Sequence, residues 1–336
     1  MRRLVRMRQM QGMRALVAAI AVAAVAAVGL VGTSASAGAQ PFGYVVVAGN
    51  EGCTLHRIDL ATGVLDPAIG PESTDACVND LAFAPDGSIL YGMDEAATNV
   101  ELVRFDLATG AVTVVGQVGT FPAGGPGGGL AFDAAGVLYL TTIPEDPDAT
   151  TAPCRDGETY CTYRVDPANP GAALFVGQTS EVSPTVVGPL AGACDGGFVG
   201  SQDLLVDGDA FDDGDAQAGD GPDGTTTTSD ATTVADELAE SAGLGQFALT
   251  NVNRGNGLGT VVDQPFGDNV TGFDFDRSGT LWGVGTPDLD AFNVYTINRS
   301  TGVATATVPI TPLGENAFVL ALAIPTVCLP EVTFTG

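Results

Sequence analysis

The sequence repeats a short phrase five times, and each copy carries a hydrophobic strand into a tight turn at an Asp or Asn. The clearest copies read Leu-Ala-Thr-Gly directly after Asp59 and Asp106. The other turn residues are Asp166, Asn253 and Asn298. One such unit cannot bury both of its apolar faces, so successive units must stack on one another. The repeat therefore predicts a repetitive, all-β architecture.

A second phrase alternates with the first and has the pattern of a β-hairpin, in which two short apolar strands flank a turn containing Gly. The clearest copies surround Gly87, Gly136 and Gly279, and a weaker copy surrounds Gly196. Together the two phrases give a unit of about 40 to 50 residues with four short strands, which is typical of a propeller blade.

The number of units predicts a five-bladed β-propeller of four-stranded blades. The first blade, which starts near Tyr44, has only three strands of its own, and residues 318–324 can supply its missing inner strand. Pairing of these N- and C-terminal strands closes the ring and removes an exposed sheet edge. Six blades are an alternative, since the long interval from Asp166 to Asn253 has room for a degenerate blade.

The phrase Leu-Ala-Phe-x-x-x-Gly-x-Leu-Tyr occurs at residues 130–139 and, with one extra residue, at 81–91. It resembles the repeat of secreted bacterial β-propeller proteins, a group that includes NHL-, YVTN- and WD-repeat-like families. The resemblance spans nearly all of the chain that follows the N-terminal segment. It implies the fold and no particular function, because proteins of unrelated activity share this repeat. The Trp-Asp dipeptide of true WD repeats is absent.

Residues 1–39 have the composition of a secretory signal peptide. Five Arg precede an uncharged run from Ala15 to Gly32, and the small residues up to Ala39 contain two Ala-x-Ala patterns. We expect cleavage and export to an extracytoplasmic location, by either the general or the twin-arginine route, with a membrane-anchored helix as the alternative. The rest of the chain divides into a propeller at 40–328 and a tail at 329–336.

The chain contains 6 Cys, which in an exported protein favours three disulfides. In a four-stranded blade, the connections from second to third strand and from fourth strand to the next blade lie on one face. Sorting the cysteines by face predicts the pairs Cys53–Cys77, Cys154–Cys161 and Cys194–Cys328. A zinc site is disfavoured, because no Cys-x-x-Cys pair is present.

An acidic, low-complexity insertion occupies residues 203–245, between the second and third strands of the fourth blade. Clustered carboxylates can hold Ca²⁺, so the insertion is a candidate calcium site. It does not match an EF-hand loop, whose obligatory Gly is replaced here. The alternative is a solvated loop with too few apolar residues to offset the cost of ordering. The candidate ligands are Asp207, Asp209, Asp212, Asp213 and Asp215.

Three polar pairs stand just ahead of predicted inner strands, on the face that carries the insertion, and are candidate ligand-binding residues. The alternative is that such residues only satisfy turns at the strand starts. The candidates are Asn79, Asp80, Asp268, Asn269, Glu315 and Asn316.

By contrast, five Arg recur beside the repeat turns, and this repetition indicates a structural role. They are Arg57, Arg104, Arg164, Arg254 and Arg299.

Charge excludes several functional classes. The formal net charge is -28, and all 12 basic residues are Arg, so a Lys-dependent P-loop or Schiff base is impossible. Such a surface also repels nucleic acid.

We expect a secreted, monomeric binding module whose partner is a protein, a glycan or a cell-envelope component. The alternative is a calcium-assisted or carboxylate-based hydrolase or lyase that acts on a polysaccharide or similar substrate.

Overall fold

A computed structural model describes most of the chain after residue 40 and contains five sheets of four antiparallel strands each. The described residues are 41–94, 99–122, 128–142, 161–178, 187–204, 246–256, 259–265, 269–287, 291–314 and 317–328. Internal contacts divide the chain into residues 1–40 and 41–336, and the first unit, with the predicted signal peptide, lies outside the described residues.

The strands follow the chain blade by blade. The first blade contains β1 (Phe42–Ala48), β2 (Cys53–Asp59) and β3 (Ile69–Ser73), and the second contains β4 (Asp80–Phe83), β5 (Leu90–Asp94), β6 (Asn99–Phe105) and β7 (Val112–Pro122). The third contains β8 (Gly129–Phe132), β9 (Leu138–Thr142), β10 (Cys161–Val165) and β11 (Leu174–Gln178). The fourth contains β12 (Val187–Gly192), β13 (Phe198–Leu204), β14 (Gln246–Val252) and β15 (Gly259–Pro265). The fifth contains β16 (Asn269–Phe275), β17 (Leu281–Thr286), β18 (Asn293–Ile297) and β19 (Ala304–Pro309).

The last strand, β20 (Phe318–Ala323), is the inner strand of the first blade and closes the ring. It pairs antiparallel with β1, with Val46 opposite Ala321 and Tyr44 opposite Ala323. The five inner strands β4, β8, β12, β16 and β20 contact one another in succession around the ring. The prediction of five four-stranded blades closed by residues 318–324 is therefore confirmed.

The hydrophobic core consists of apolar side chains that are buried between neighbouring blades. Five apolar clusters fill the five interfaces between neighbouring blades, as expected for sheets that are apolar on both faces. Between the third and fourth blades, for example, the rings of Tyr139 and Phe198 lie 5.1 Å apart. Each blade is thus stabilised mainly by its neighbours, so a single blade has no complete core of its own.

The repeat Asp and Asn residues form the turns that the sequence predicts. The Oδ1 atom of Asp106 accepts hydrogen bonds from the backbone N–H groups of Ala108 and Thr109, at 2.9 and 3.0 Å. Asp59 and Asn298 make the equivalent bonds two and three residues ahead. We call the side of the ring that carries these short turns the turn face, and the opposite side, from which β5–β6 and β7–β8 connect, the connection face.

Two predicted disulfides are confirmed. Cys53 pairs with Cys77 on the connection face, and Cys194 pairs with Cys328 on the turn face, with Cα–Cα distances of 5.0 and 5.1 Å. Cys161 is also disulfide-bonded, and its predicted partner Cys154 lies outside the described residues. Across the described ranges, no helix is long and apolar enough to cross a membrane.

Candidate functional site: the central channel

The inner strands surround a central channel, into which they direct backbone groups that have no partner strand. In β4, for example, Ala84 donates to Ile89 on the side of its own hairpin, so Leu81 and Phe83 direct their N–H groups inwards. Buried N–H groups require acceptors, because leaving one unpaired costs about 1 to 3 kcal/mol. Two carboxyl groups in the channel accept hydrogen bonds from five such N–H groups.

Asp80 joins three blades. Its side chain is fully buried, and its Oδ1 accepts from the N–H of Leu81 in its own strand at 2.8 Å. Its Oδ2 accepts from the N–H of Leu130 in the third blade at 2.7 Å and from that of Leu190 in the fourth at 3.1 Å. The carboxyl group therefore ties the inner strands of the second, third and fourth blades together.

Asp274 joins the remaining two blades. Its Oδ1 accepts from the N–H of Phe275 in the fifth blade at 2.8 Å. Its Oδ2 accepts from the N–H of Ile324, which directly follows the inner strand of the first blade, also at 2.8 Å. Between them, Asp80 and Asp274 accept one hydrogen bond from every blade of the ring.

Burial changes the acid strength of both groups. Desolvation raises the pKa of Asp274 from its usual 3.8 to about 7, although the N–H groups of Ile324 and Phe275 act in the opposite direction. Desolvation also raises the pKa of Asp80 well above its usual value, against the effect of its three N–H donors. The charge of Asp274 raises the Asp80 pKa further, since two carboxylates in one channel repel each other.

A small cavity lies in the described part of the channel. The cavity beside Asp274 has a volume of about 30 Å³, enough for one or two water molecules and too small for a sugar ring. The segment from Ile324 to Cys328 lines the cavity towards the turn face, where the Thr326 hydroxyl donates to the Phe275 carbonyl at 2.6 Å. The Cys194–Cys328 disulfide attaches this segment to the fourth blade.

The structure brings together only part of the predicted ligand-binding set. Asp80 lies in the channel, and its neighbour Asn79 donates from its backbone to the carbonyl of Met93 at 3.0 Å. Asn269 begins β16. Asp268, Glu315 and Asn316 lie outside the described residues, as do all five candidate calcium ligands. Within the described residues, no group of three or more His, Cys, Asp or Glu side chains could hold a metal ion.

Asp274 is not among the candidate residues predicted from the sequence, although the repeat pattern distinguishes it. In the aligned hairpin phrases, the residue between the two apolar positions is Ala82, Ala131 or Ala191, and only the fifth blade has an acid there. A charged residue that replaces a small apolar one in a buried repeat position indicates a special role. Its hydrogen bond to Ile324 could not be predicted, because it joins two different blades across the channel and the partners are 50 residues apart in sequence.

The fold defines this protein as a five-bladed β-propeller with two carboxyl groups in its central channel. Residues 1–141 match the profile of a family described as a repeat of unknown function, DUF6923. Among curated proteins, a sequence search finds no match.

Solved structures with a similar fold differ widely in their described roles. TolB from Acinetobacter baumannii is 14% identical over 80% of this chain, with a TM-score of 0.42, and the match spans 53% of TolB. A chain of a nidogen/laminin complex is 9% identical over 85% of this chain and 98% of its own length, with a TM-score of 0.44. A gluconolactonase from Xanthomonas campestris is 14% identical over 80% of this chain and 77% of its own, with a TM-score of 0.41.

Proposed function

We propose that this protein is an exported, non-enzymatic binding module that recognises a protein, glycan or cell-envelope component through its connection face. The small size of the cavity in the described part of the channel carries this proposal. Both channel carboxyl groups bond to backbone N–H groups, and the cavity of about 30 Å³ has no room for a substrate. We therefore place binding on the loops. A rigid ring can present loops as a binding surface, and such a surface needs no catalytic residue.

The connection face offers the longest stretches of chain for such binding. Residues 143–160 connect β9 to β10, and residues 205–245 connect β13 to β14, so both leave from strand ends on this face. The second stretch contains the acidic run from Asp207 to Asp215. Export is supported by the disulfides, which persist in oxidising compartments, and by the signal-like composition of residues 1–39.

Replacing the long insertion tests the proposal. Leu204 and Gln246 are opposite each other in the β13–β14 ladder, so an Asn-Gly turn can replace residues 205–245 without moving either strand. We expect the native protein to bind purified cell-wall polysaccharide or envelope vesicles in a pull-down, and the variant to lose at least tenfold in affinity at unchanged melting temperature. Equal binding by both proteins would contradict a role for this insertion.

A hydrolase or lyase is the second candidate, because a carboxyl group with a pKa of about 7 suits general acid–base catalysis. Its test is release of reducing ends from polysaccharides, with and without millimolar Ca²⁺. Activity that Asp274→Asn abolishes would favour this candidate over the binding module. A rise in melting temperature with Ca²⁺ that disappears in the insertion-replacement variant would assign calcium to residues 205–245.

A further inference from the structure

We propose that the turn face carries a groove for a carboxylated sugar of the uronate type, between Arg254 and Arg299. This groove lies on the face opposite to the one invoked for the proposed function, so either proposal can fail without the other. It is a shallow space of about 410 Å³ that is open to solvent.

The lining of the groove has an unusual charge for this protein. It includes two Arg and two Asn but no carboxylate, although the chain has 40 acidic and only 12 basic residues. Three of its residues come from the β14–β15 turn, Asn253 to Gly255, and another is Arg299 in the next blade. The nearest carboxylates, Asp133 and Asp195, are each bound by one of these two Arg.

Neighbouring turns hold both guanidinium groups in place. Arg254 Nη1 donates to Asp133 Oδ2 at 2.8 Å, and Arg299 Nη1 donates to Asp195 Oδ2 at 2.7 Å. Each Asp belongs to a hairpin turn of the preceding blade, so each Arg bridges two blades. Since a guanidinium has five N–H donors, both retain donors for a ligand, and their fixed orientation lowers the entropy cost of binding.

Two consecutive glycines allow both guanidinium groups to approach one stretch of backbone. A Cβ atom at Gly196 would lie 3.7 Å from Nη2 of Arg254, and a Cβ atom at Gly197 would collide with the guanidinium of Arg299. The Arg299 guanidinium carbon also lies 5.4 Å from the ring centre of Phe275. The absence of a Cβ atom at Gly197 therefore gives the Arg299 guanidinium its room, whereas a Cβ atom at Gly196 would be in ordinary contact with Arg254.

The remaining groups fit a sugar that carries a carboxylate. The planar fork of Arg matches a carboxylate in a paired geometry. Asn253 Oδ1 accepts from the Gly255 N–H at 2.8 Å, so its NH₂ group is left to donate to a hydroxyl. Because each Arg already has a carboxylate partner, we expect a dissociation constant of about 1 mM.

The test is an NMR titration of the protein with glucuronate, using glucose and inorganic phosphate as comparison ligands. We expect glucuronate to shift the side-chain N–H signals of Arg254 and Arg299, and Arg299→Gln to weaken binding at least tenfold. Gly197→Ala removes the room for Arg299 while keeping its charge and should weaken binding similarly. Arg57→Gln is the matched control, since Arg57 also pairs with an Asp, at 3.5 Å, and stacks on Phe42.

Several results would overturn the proposal. If inorganic phosphate bound as tightly as glucuronate, a site built for a carboxylate would be excluded. Equal binding of glucose would exclude a role for charge. An equal loss of affinity in Arg57→Gln would show a general effect of protein charge, and unchanged signals of both arginines at 20 mM glucuronate, about twentyfold the expected dissociation constant, would exclude the groove.

Discussion

Asp274 combines two properties that oppose each other: its carboxylate form accepts backbone hydrogen bonds, and its burial favours the neutral form. Below about pH 7 the neutral form prevails, because desolvation is the largest contribution to its pKa. The native state therefore holds a proton between about pH 4 and pH 7 that the unfolded chain has already released. Stability contributed by this group is complete below pH 4 and is lost as the pH rises to 7.

Asp274→Asn should remove this pH dependence. A shift of the pKa from 3.8 to about 7 corresponds to at most about 4 kcal/mol of unfolding free energy. Asn is neutral at every pH but can accept only one of the two N–H bonds, which costs about 1 kcal/mol. We therefore expect the variant to be slightly less stable than the native protein at pH 4 and more stable at pH 8.

Urea unfolding of both proteins at several pH values measures this difference. Asp106→Asn, in an exposed turn, serves as the control, because hydrogen bonds to Ala108 and Thr109 lower the pKa of Asp106 instead of raising it. Parallel pH profiles for the native protein and Asp274→Asn would contradict the proposed protonation of the channel.

At the level of elements, the Thr-Gly turns also form contacts between blades. Gly110 has φ near 70°, and a Cβ atom there would collide with the carbonyl of Ile69 in the preceding blade and lie 3.1 Å from the Cα of Gly70. Gly279 has a similar φ of 83°, but a Cβ atom there would meet nothing within 4 Å. The same residue type thus serves backbone conformation alone in one turn, and packing as well in another.

Gly110→Ala and Gly279→Ala separate these two effects. Gly279→Ala should cost only the strain of a left-handed Ala, about 1 kcal/mol. Gly110→Ala adds a collision between two backbones and should cost roughly 3 kcal/mol or more. Differential scanning calorimetry of the two variants measures the difference, and equal melting temperatures would show that the first two blades can separate slightly without loss.

The repeated turns and hairpins explain why the fold could be predicted from sequence while the site could not. Local phrases such as the one after Asp59 determine strands and turns, and their number determines the number of blades. Asp80 was predicted to stand ahead of an inner strand, but its bonds to Leu130 and Leu190 depend on the narrowness of the channel, which no local phrase encodes. The groove at Arg254 and Arg299 likewise depends on contacts between blades.

For the molecule as a whole, charge opposes compactness. After residue 39, the chain retains all of its 40 acidic residues but only seven of its 12 Arg. The described residues form just three ion pairs, of which Arg57–Asp66 is largely exposed. Repulsion among the other carboxylates therefore destabilises the folded ring at low ionic strength.

Salt should consequently stabilise the protein. Raising NaCl from about 0.05 to 0.5 M shortens the screening length from roughly 14 to 4 Å, and we expect the melting temperature to rise by several degrees. Sucrose at equal osmolality is the control, since it favours compact states without screening charge. A melting temperature that is insensitive to NaCl, or equally sensitive to sucrose, would contradict the importance of repulsion.

The pairing of β1 with β20 also dictates when the molecule can assemble. A nascent chain presents β1 long before β20, so during most of its synthesis the first sheet lacks its innermost strand. Contacts between such distant parts of a chain form late and slowly. The ring therefore cannot close until nearly the whole chain has been synthesised.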